Sequence, residues 1–554
     1  MVNHSTTAAR AVVGALPRLG VHHVVLCPGS RSAPLAYALA AAERAGLLRL
    51  HVRHDERSAA FTALGVGRAN GLAAVVTTSG SAVANLHPAV LEAHHGGVPL
   101  LVLSADRPHD LRGTWANQTS DLQARLFGTA TRFASDLATT DDAATWVIAL
   151  GRAVAAARGV RYGPRPGPVH LDLAFDDPLT PDDDAPALST RSSGAVVQDA
   201  PASSAPQLHS LGRGARTVVV AGDGAGRRAR WLAEAGGWPL LAEPTSPARS
   251  GPNAVAAYRL VLPHLAHLVE RVVVLGRPTL SRQVTALLER EDVEIVVVGE
   301  HDHEPGPARA ARRVVGDVVV SRGEEQAEWL RTWQTAGSAA RQAVDAVLDA
   351  GPLSGPLLAR ELWAALGDDE RLVVAASNPV RDLDLAAHPW PDCDTGRRVL
   401  ANRGLSGIDG TISTAVGVAL ATGAPTRVLV GDLAFLHDLG ALAVPASERA
   451  DLDLQVVVLD DDGGGIFALL EHGEPERAAS FERVFGTPHG ADLAALAAGF
   501  GVPVERVDDP AELRDALAKA PRGLSVLHVP VGRDNLRALH ERLRNGVARA
   551  LGAT

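Results

Sequence analysis

The sequence predicts an α/β protein: three α/β domains in succession, each with a parallel sheet covered by helices. Two observations predict it. Short unbroken apolar runs, rich in Val and Leu, recur between Ala-rich stretches of helical length, the pattern of strands buried on both faces. The chain is also 554 residues long, and at about 150 residues per domain that is three or four domains with a core in each.

The expected domains are 1–185, 186–350 and 351–554. In the first, strands are predicted over 23–27, 48–52, 73–78, 98–104 and 167–173. From 178 to about 216 the sequence turns Pro-, Ser- and Asp-rich without periodicity, as a linker would. The second domain follows with strands over 217–221, 271–275 and 294–299, then Ala-rich helical sequence over 324–349. Strands over 371–376, 427–430, 454–459 and 523–529 build the third. The first and third domains read as copies of one sheet design.

Composition narrows the function. Lys519 is the one lysine, so a Schiff-base lysine for pyridoxal phosphate and a Gly-Lys-Ser/Thr phosphate loop are both excluded. Every other fixed cation is arginine, whose planar fork suits carboxylates and phosphates. The net charge of -10 and the scattered arginines argue against nucleic acid as a partner. Cys27 and Cys393 form no metal spacing, the N-terminus lacks the order of a signal peptide, and no apolar run is long enough for a membrane span. A cytoplasmic enzyme is expected.

The chemistry concentrates at strand ends in the third domain. Gly431-Asp432-Leu433 follows one apolar strand, and Asp460-Asp461-Asp462-Gly463-Gly464-Gly465 ends another, with 26 residues (434–459) between them. Ligands bind at the carboxyl ends of parallel strands. Either cluster alone is ordinary turn chemistry. Together they aim hard oxygen ligands at one point beside a Gly-rich backbone, which suits Mg²⁺ on a diphosphate.

A Gly-Asp, about two dozen residues, then an Asn-Asn-type turn resembles the diphosphate–metal motif of thiamine-diphosphate enzymes, which also require a glutamate from a separate pyrimidine-binding domain. Glu56, in His54-Asp-Glu-Arg-Ser58, matches it. Further motifs narrow the resemblance: Cys27-Pro-Gly-Ser-Arg-Ser-Ala-Pro34, Thr78-Ser-Gly80, Ala105-Asp-Arg-Pro108, Ala116-Asn-Gln118, Asn402-Arg-Gly-Leu-Ser-Gly-Ile-Asp-Gly410 and Gly463-Gly-Gly-Ile-Phe467. In order, they are similar to those of the 2-succinyl-5-enolpyruvyl-6-hydroxy-3-cyclohexene-1-carboxylate synthases of menaquinone biosynthesis. The central domain matches mainly through Glu243-Pro-Thr245 and Gly276-Arg-Pro-Thr279. Two departures stand: the Asn-Asn pair is Asp460-Asp461, and Leu433 replaces a third glycine.

The resemblance implies the thiamine-diphosphate fold, the cofactors thiamine diphosphate and Mg²⁺ (Mn²⁺ as an alternative), and decarboxylation of 2-oxoglutarate with conjugate addition of its four-carbon unit to isochorismate. It implies Glu56 as the catalytic carboxyl. The metal ligands would be Asp432, Asp461 and Gly463, with the choice among Asp460, Asp461 and Asp462 left open. Ser79, Gly80, Ser406, Gly407, Ile408, Gly431, Asp432, Leu433, Ile466 and Phe467 would hold the cofactor, with His437, Asp438 and Phe467 lining its cleft. Four carboxylates on two substrates need several cations, and the matching positions are Arg31, Arg107, Arg282, Arg381 and Arg403, with Ser32, Asn117, Gln118 and Ser377. Active sites between subunits of a homodimer or homotetramer follow. The rivals are an acetohydroxyacid-synthase-like enzyme and a non-catalytic diphosphate-binding regulator. Gly222–Gly226 reads as a plain turn, and His301 and His303 as a weak metal site.

Overall fold

The computed structural model describes residues 3–160, 165–182, 208–299, 312–321, 327–392 and 396–552. The expected boundary at 185/186, Cys393 and the His301/His303 pair lie outside these residues.

The first sheet comprises β1 (His23–Leu26), β2 (Arg49–Val52), β3 (Ala73–Thr77), β4 (Leu100–Asp106), β5 (Phe133–Leu137) and β6 (Pro168–Ala174), in the order β2-β1-β3-β4-β6-β5. β3, β4 and β6 are buried at every residue, as strands covered on both faces must be. β7 (Leu208–Leu211) lies inside the stretch expected to be linker, which is a correction: it pairs in parallel with a strand more than a hundred residues later.

The central sheet contains β8 (Thr217–Ala221), β9 (Leu240–Ala242), β10 (Arg271–Leu275), β11 (Glu294–Val298) and β12 (Arg312–Val315), in the order β12-β11-β10-β8-β9; β13 (Asp317–Val320) is the partner of β7. The third sheet comprises β14 (Arg371–Val374), β15 (Arg398–Leu400), β16 (Thr426–Gly431), β17 (Leu454–Asp460), β18 (Val504–Arg506) and β19 (Leu524–Pro530), in the order β15-β14-β16-β17-β19-β18. Every strand pair in these sheets is parallel. Counted from its own first strand, the third sheet repeats the order of the first.

The cores are not fully separate. One apolar cluster runs from β8 and β10 through Trp329 and Trp333 into Leu372, Val457 and Leu543, so the central and third sheets share packing. The first and third sheets meet where helix Glu56–Asn70 crosses helix Thr411–Thr422. Glycine makes this crossing close: a Cβ at Gly65 would lie 2.1 Å from the Thr414 carbonyl oxygen, and one at Gly417 would lie 2.0 Å from that of Thr62. Asp55 starts the first of these helices, its carboxylate accepting from the amides of Arg57 and Ser58, and so fixes where Glu56 sits.

Candidate active site

In each sheet the chain leaves its first strand toward one edge and returns on the other side, so a crevice opens at the carboxyl ends there. In the third sheet this crevice lies between β14 and β16. Ser377, after β14, Gly431 to Ala434, at the end of β16, and Asp461 with Gly463 to Phe467, after β17, line one cleft there with Ile408. The cleft has about 610 Å³ of open space.

Its walls fit a diphosphate and a cation. A Cβ at Gly431 would meet nothing within 4 Å, so the backbone there is open to a ligand. Gly463 has φ 135°, and a Cβ on it would lie 2.0 Å from the Gly486 carbonyl oxygen; one on Gly465 would lie 1.8 Å from Asp461 Oδ2. Only glycine lets this turn fold so tightly beside the carboxylate. Ser406, at φ 60°, and Gly407 precede Ile408 in the loop that closes the cleft.

The three consecutive aspartates separate by environment. Asp460 Oδ2 lies 2.7 Å from His528 Nε2, and hydrogen bonding from that imidazole helps hold Asp460 below the usual carboxylate range against its own burial. Asp462, at φ 52°, accepts from the amides of His489 and Gly490 at 3.0 and 2.9 Å, away from the cleft. Asp461 lines the cleft, and burial followed by the Asp432 charge pushes its carboxyl up to about 7. Asp432 is 2% exposed; its Oδ2 accepts from Gly463 N at 2.6 Å, and burial raises it too. Two buried carboxylates that repel one another are the donor set a divalent cation satisfies. Sequence reasoning missed His489, whose Nε2 is 3.2 Å from Asp432 Oδ2; ligand atoms of Asp432, Asp460 and His489 lie within 4.8 Å of one another. Nothing in its local sequence, Thr-Pro-His-Gly, marks it.

The cations form two pairs. Arg381 Nη1 donates to the Ser377 carbonyl at 2.8 Å, and burial and then the nearby Arg403 lower its pKa. Arg403 is 4% exposed and donates to Thr279 Oγ1 at 2.7 Å. In the first sheet, Arg107 Nη1 donates to Ser79 Oγ at 2.8 Å and to the Gln118 carbonyl at 3.0 Å, and its pKa is lowered by burial and then by Arg31. Arg31 itself donates to the Phe175 carbonyl, Ser32 is buried against the Gly29 carbonyl, and Asn117 and Gln118 are exposed beside them. Arg282 stands apart, 73% exposed and paired with Glu471 on the surface.

Behind Arg107 lies a buried cluster that the sequence did not signal. Arg112 contacts Asp106, Asp136 and Asp172 at 2.9, 2.6 and 3.3 Å. Asp106 Oδ1 accepts from the Arg107 amide, and Gln123 bridges the Gly80 amide to Asp172. Burial and then Asp172 push Asp106 up to about 7.

Thus the residues expected at one site form two groups in a single chain. Arg31, Ser32, Glu56, Ser79, Gly80, Arg107, Asn117 and Gln118 belong to the first sheet, and none of them lines the cleft of the third. His437 and Asp438 do not line it either: they face helix Glu56–Asn70.

The comparisons with known proteins agree with this geometry. The N-terminal thiamine pyrophosphate-binding domain of thiamine pyrophosphate enzymes matches residues 6–126, and the C-terminal one matches residues 383–529. These stretches carry the first group and, Ser377 and Arg381 apart, the second, and thiamine diphosphate is the cofactor of this fold. The chain is 53% identical to the 2-succinyl-5-enolpyruvyl-6-hydroxy-3-cyclohexene-1-carboxylate synthase of Kineococcus radiotolerans over 99% of its length and 100% of the relative's. It is 49% identical to that of Renibacterium salmoninarum over 100% of both chains, and 48% identical to that of a Nocardioides species over 98% of this chain and 97% of the relative. The chain belongs to the 2-succinyl-5-enolpyruvyl-6-hydroxy-3-cyclohexene-1-carboxylate synthase family.

Proposed function

We propose that the protein joins the four-carbon unit left by decarboxylation of 2-oxoglutarate to isochorismate, giving 2-succinyl-5-enolpyruvyl-6-hydroxy-3-cyclohexene-1-carboxylate and CO₂. The observation that carries this reading is the pairing of cations at the strand ends of two sheets, Arg31 with Arg107 beside the first and Arg381 with Arg403 beside the third, whose cleft is lined by Asp432 and Asp461. Substrates bearing four carboxylates between them need such pairs, whereas a pyruvate enzyme needs fewer cations and a more apolar pocket.

When bound, thiamine diphosphate supplies the electron sink that lets a 2-oxo acid lose CO₂ and its remaining carbons act as a nucleophile. Asp432, Asp461 and the Gly463 carbonyl would hold Mg²⁺ or Mn²⁺, and Ser406, Gly407 and the open backbone of Gly431 the diphosphate. Leu433, Ile466, Phe467 and Ile408 would pack the cofactor's apolar parts and keep water from it. Glu56 would be the carboxyl that meets the aminopyrimidine and would hold a proton at its ring nitrogen. The arginine pairs orient the substrate carboxylates, with Ser32, Asn117, Gln118 and Ser377 as hydrogen-bonding partners, and Ser79 and Gly80 would hold the cofactor. Arg282 is the outermost of these cations.

Because the two groups of residues stand apart in one chain, we read the working site as formed between subunits, Glu56 of one reaching the cofactor of the other. A homodimer or homotetramer follows, as does a cytoplasmic location; among the described residues no helix is long and apolar enough to cross a membrane. The division into 1–185, 186–350 and 351–554 belongs to the same reading. Purified protein with thiamine diphosphate, Mg²⁺, 2-oxoglutarate and isochorismate is expected to consume isochorismate only when all four are present. Turnover of pyruvate in place of 2-oxoglutarate would overturn the assignment.

A further inference from the structure

Glu56 is flanked on both sides by residues gripped from the third sheet. Upstream, Glu448 accepts from the Val52 amide at 3.2 Å, from Arg53 Nη1 and Nη2 at 3.1 and 2.9 Å, and its Oε2 lies 3.2 Å from His51 Nδ1. The Arg53 and Glu448 side chains are 4% and 13% exposed. Downstream, Arg57 Nη2 donates to the His437 carbonyl at 2.6 Å and Arg57 Nη1 lies 3.0 Å from His437 Nδ1. Asp438, fully buried, accepts from Ser413 N and Oγ at 2.7 and 2.8 Å and from Ser58 Oγ at 3.4 Å. The Glu56 side chain itself forms no hydrogen bond or ion pair among the described residues.

We propose that Glu448, with Asp438 as the second anchor, is a positioning residue for Glu56: it fixes the entry to helix Glu56–Asn70 so that the free carboxyl projects at one height and angle. The proposal rests on Glu56 being the carboxyl that meets the aminopyrimidine. Four physical points support it. A buried ion pair is weak grounds for stability, since desolvation offsets most of its attraction. What this pair has instead is geometry: a two-pronged carboxylate–guanidinium contact is directional, and here it is extended to a backbone amide and an imidazole. The grip falls on 51–53 and 57–58 and leaves Glu56 free, which is where constraint is useful for a group that must meet a ligand. Finally, a displacement of about 1 Å in a reacting group costs up to ~100-fold in rate, so the orientation of an otherwise unheld carboxyl has to come from its neighbours.

The test is Glu448→Ala and Glu448→Gln in the full-length protein, with Glu56→Gln alongside. The readout is the rate at which the thiazolium C2 proton of bound thiamine diphosphate exchanges for deuterium, with no substrate present, together with cofactor Kd and Tm. Glu448→Ala is expected to slow exchange by about 10-fold or more with cofactor Kd within about twofold of wild type, and Glu448→Gln, which keeps an acceptor for Val52, to fall between. Should Glu448→Ala fail to fold, Glu448→Gln carries the result on the same criterion. Exchange at the wild-type rate, or a slowdown matched by an equal loss of cofactor affinity, would overturn the proposal. If Glu56→Gln is slow and the Glu448 variants are not, this proposal alone falls. If Glu56→Gln exchanges normally, the Glu56 reading falls with it.

Discussion

The first and third sheets share a strand order, but their ends carry opposite chemistry. The third sheet ends β16 and β17 in carboxylates and a glycine turn, with Arg381 on the helix after β14 and Arg403 on the loop after β15. The first ends β1, β3 and β4 in Arg31, Ser79 and Arg107, with its carboxylates drawn back into a cluster around Arg112. The same scaffold thus gives one surface suited to a metal and diphosphate and another suited to the organic ends of cofactor and substrate. The lesson is that strand order sets where the crevice opens, while a few residues past each strand decide what enters it.

The sharpest way to break this contrast is at its one exception, the carboxyl that the first sheet does present. Glu56→Gln is expected to bind thiamine diphosphate normally and lose ~100-fold or more of turnover; activity within a few-fold of wild type would remove Glu56 from the chemistry. Next in size is the carboxylate of the third sheet. Asp432→Asn should raise the half-saturating Mg²⁺ concentration by about tenfold or more, measured by activity titration and by metal-dependent cofactor binding. Asp461→Asn should have a smaller effect, because burial and the Asp432 charge already raise the Asp461 carboxyl to about 7, so less negative charge is lost there; the reverse ranking would exchange their roles.

The cations sharpen the contrast further. Arg107→Gln should raise the KM of a carboxylate substrate by about 10-fold, the scale of one charged hydrogen bond, with cofactor binding unchanged. Arg282→Gln is expected to stay within about twofold, as an exposed ion pair contributes little. Equal effects would show that burial does not select the working arginines.

The smallest expected effect is in stability. Asp106 is held near 7 in the fold against an ordinary value of 3.8, so between these pH values the folded chain keeps a proton that the unfolded chain loses. Its contribution is therefore present at low pH and disappears as pH rises through about 7. Tm should fall from pH 5 to pH 8 less steeply in Asp106→Asn than in wild type; parallel slopes would mean that the buried cluster does not share a proton.

Much of the scaffold was legible because central parallel strands must be apolar throughout. β8 and β10 run over the residues expected, and β16, β17 and β19 differ by a residue or so at their ends. The strands that escaped notice are short or half-exposed. β5 alternates half-buried and exposed residues at an edge, β9, β15 and β18 span three residues each, and β7 finds its partner only far along the chain. Site residues borne by Gly-rich or Pro-containing turns at strand ends were legible for the same reason. The supporting groups were not: Glu448, Arg112 and Gln123 act across long sequence separations, and nothing local distinguishes them from surface polar residues. His437 and Asp438 were expected to line the cleft, yet helix Asp432–His437 carries them past it to the next interface.

Lys519 has a practical consequence. The one lysine lies on the loop before β19, its side chain 64% exposed and its ammonium 2.9 Å from Glu505 at the far edge of the third sheet. It does not line the cleft, and Glu56, the paired arginines and the Glu448 grip involve other parts of the chain. Amine-directed coupling with the N-terminal amine first blocked, since that amine deprotonates and reacts ahead of lysine, therefore has a single target. An immobilised or dye-labelled protein would be tethered at a known point that leaves the cleft untouched, which suits surface-based measurement of cofactor and metal binding.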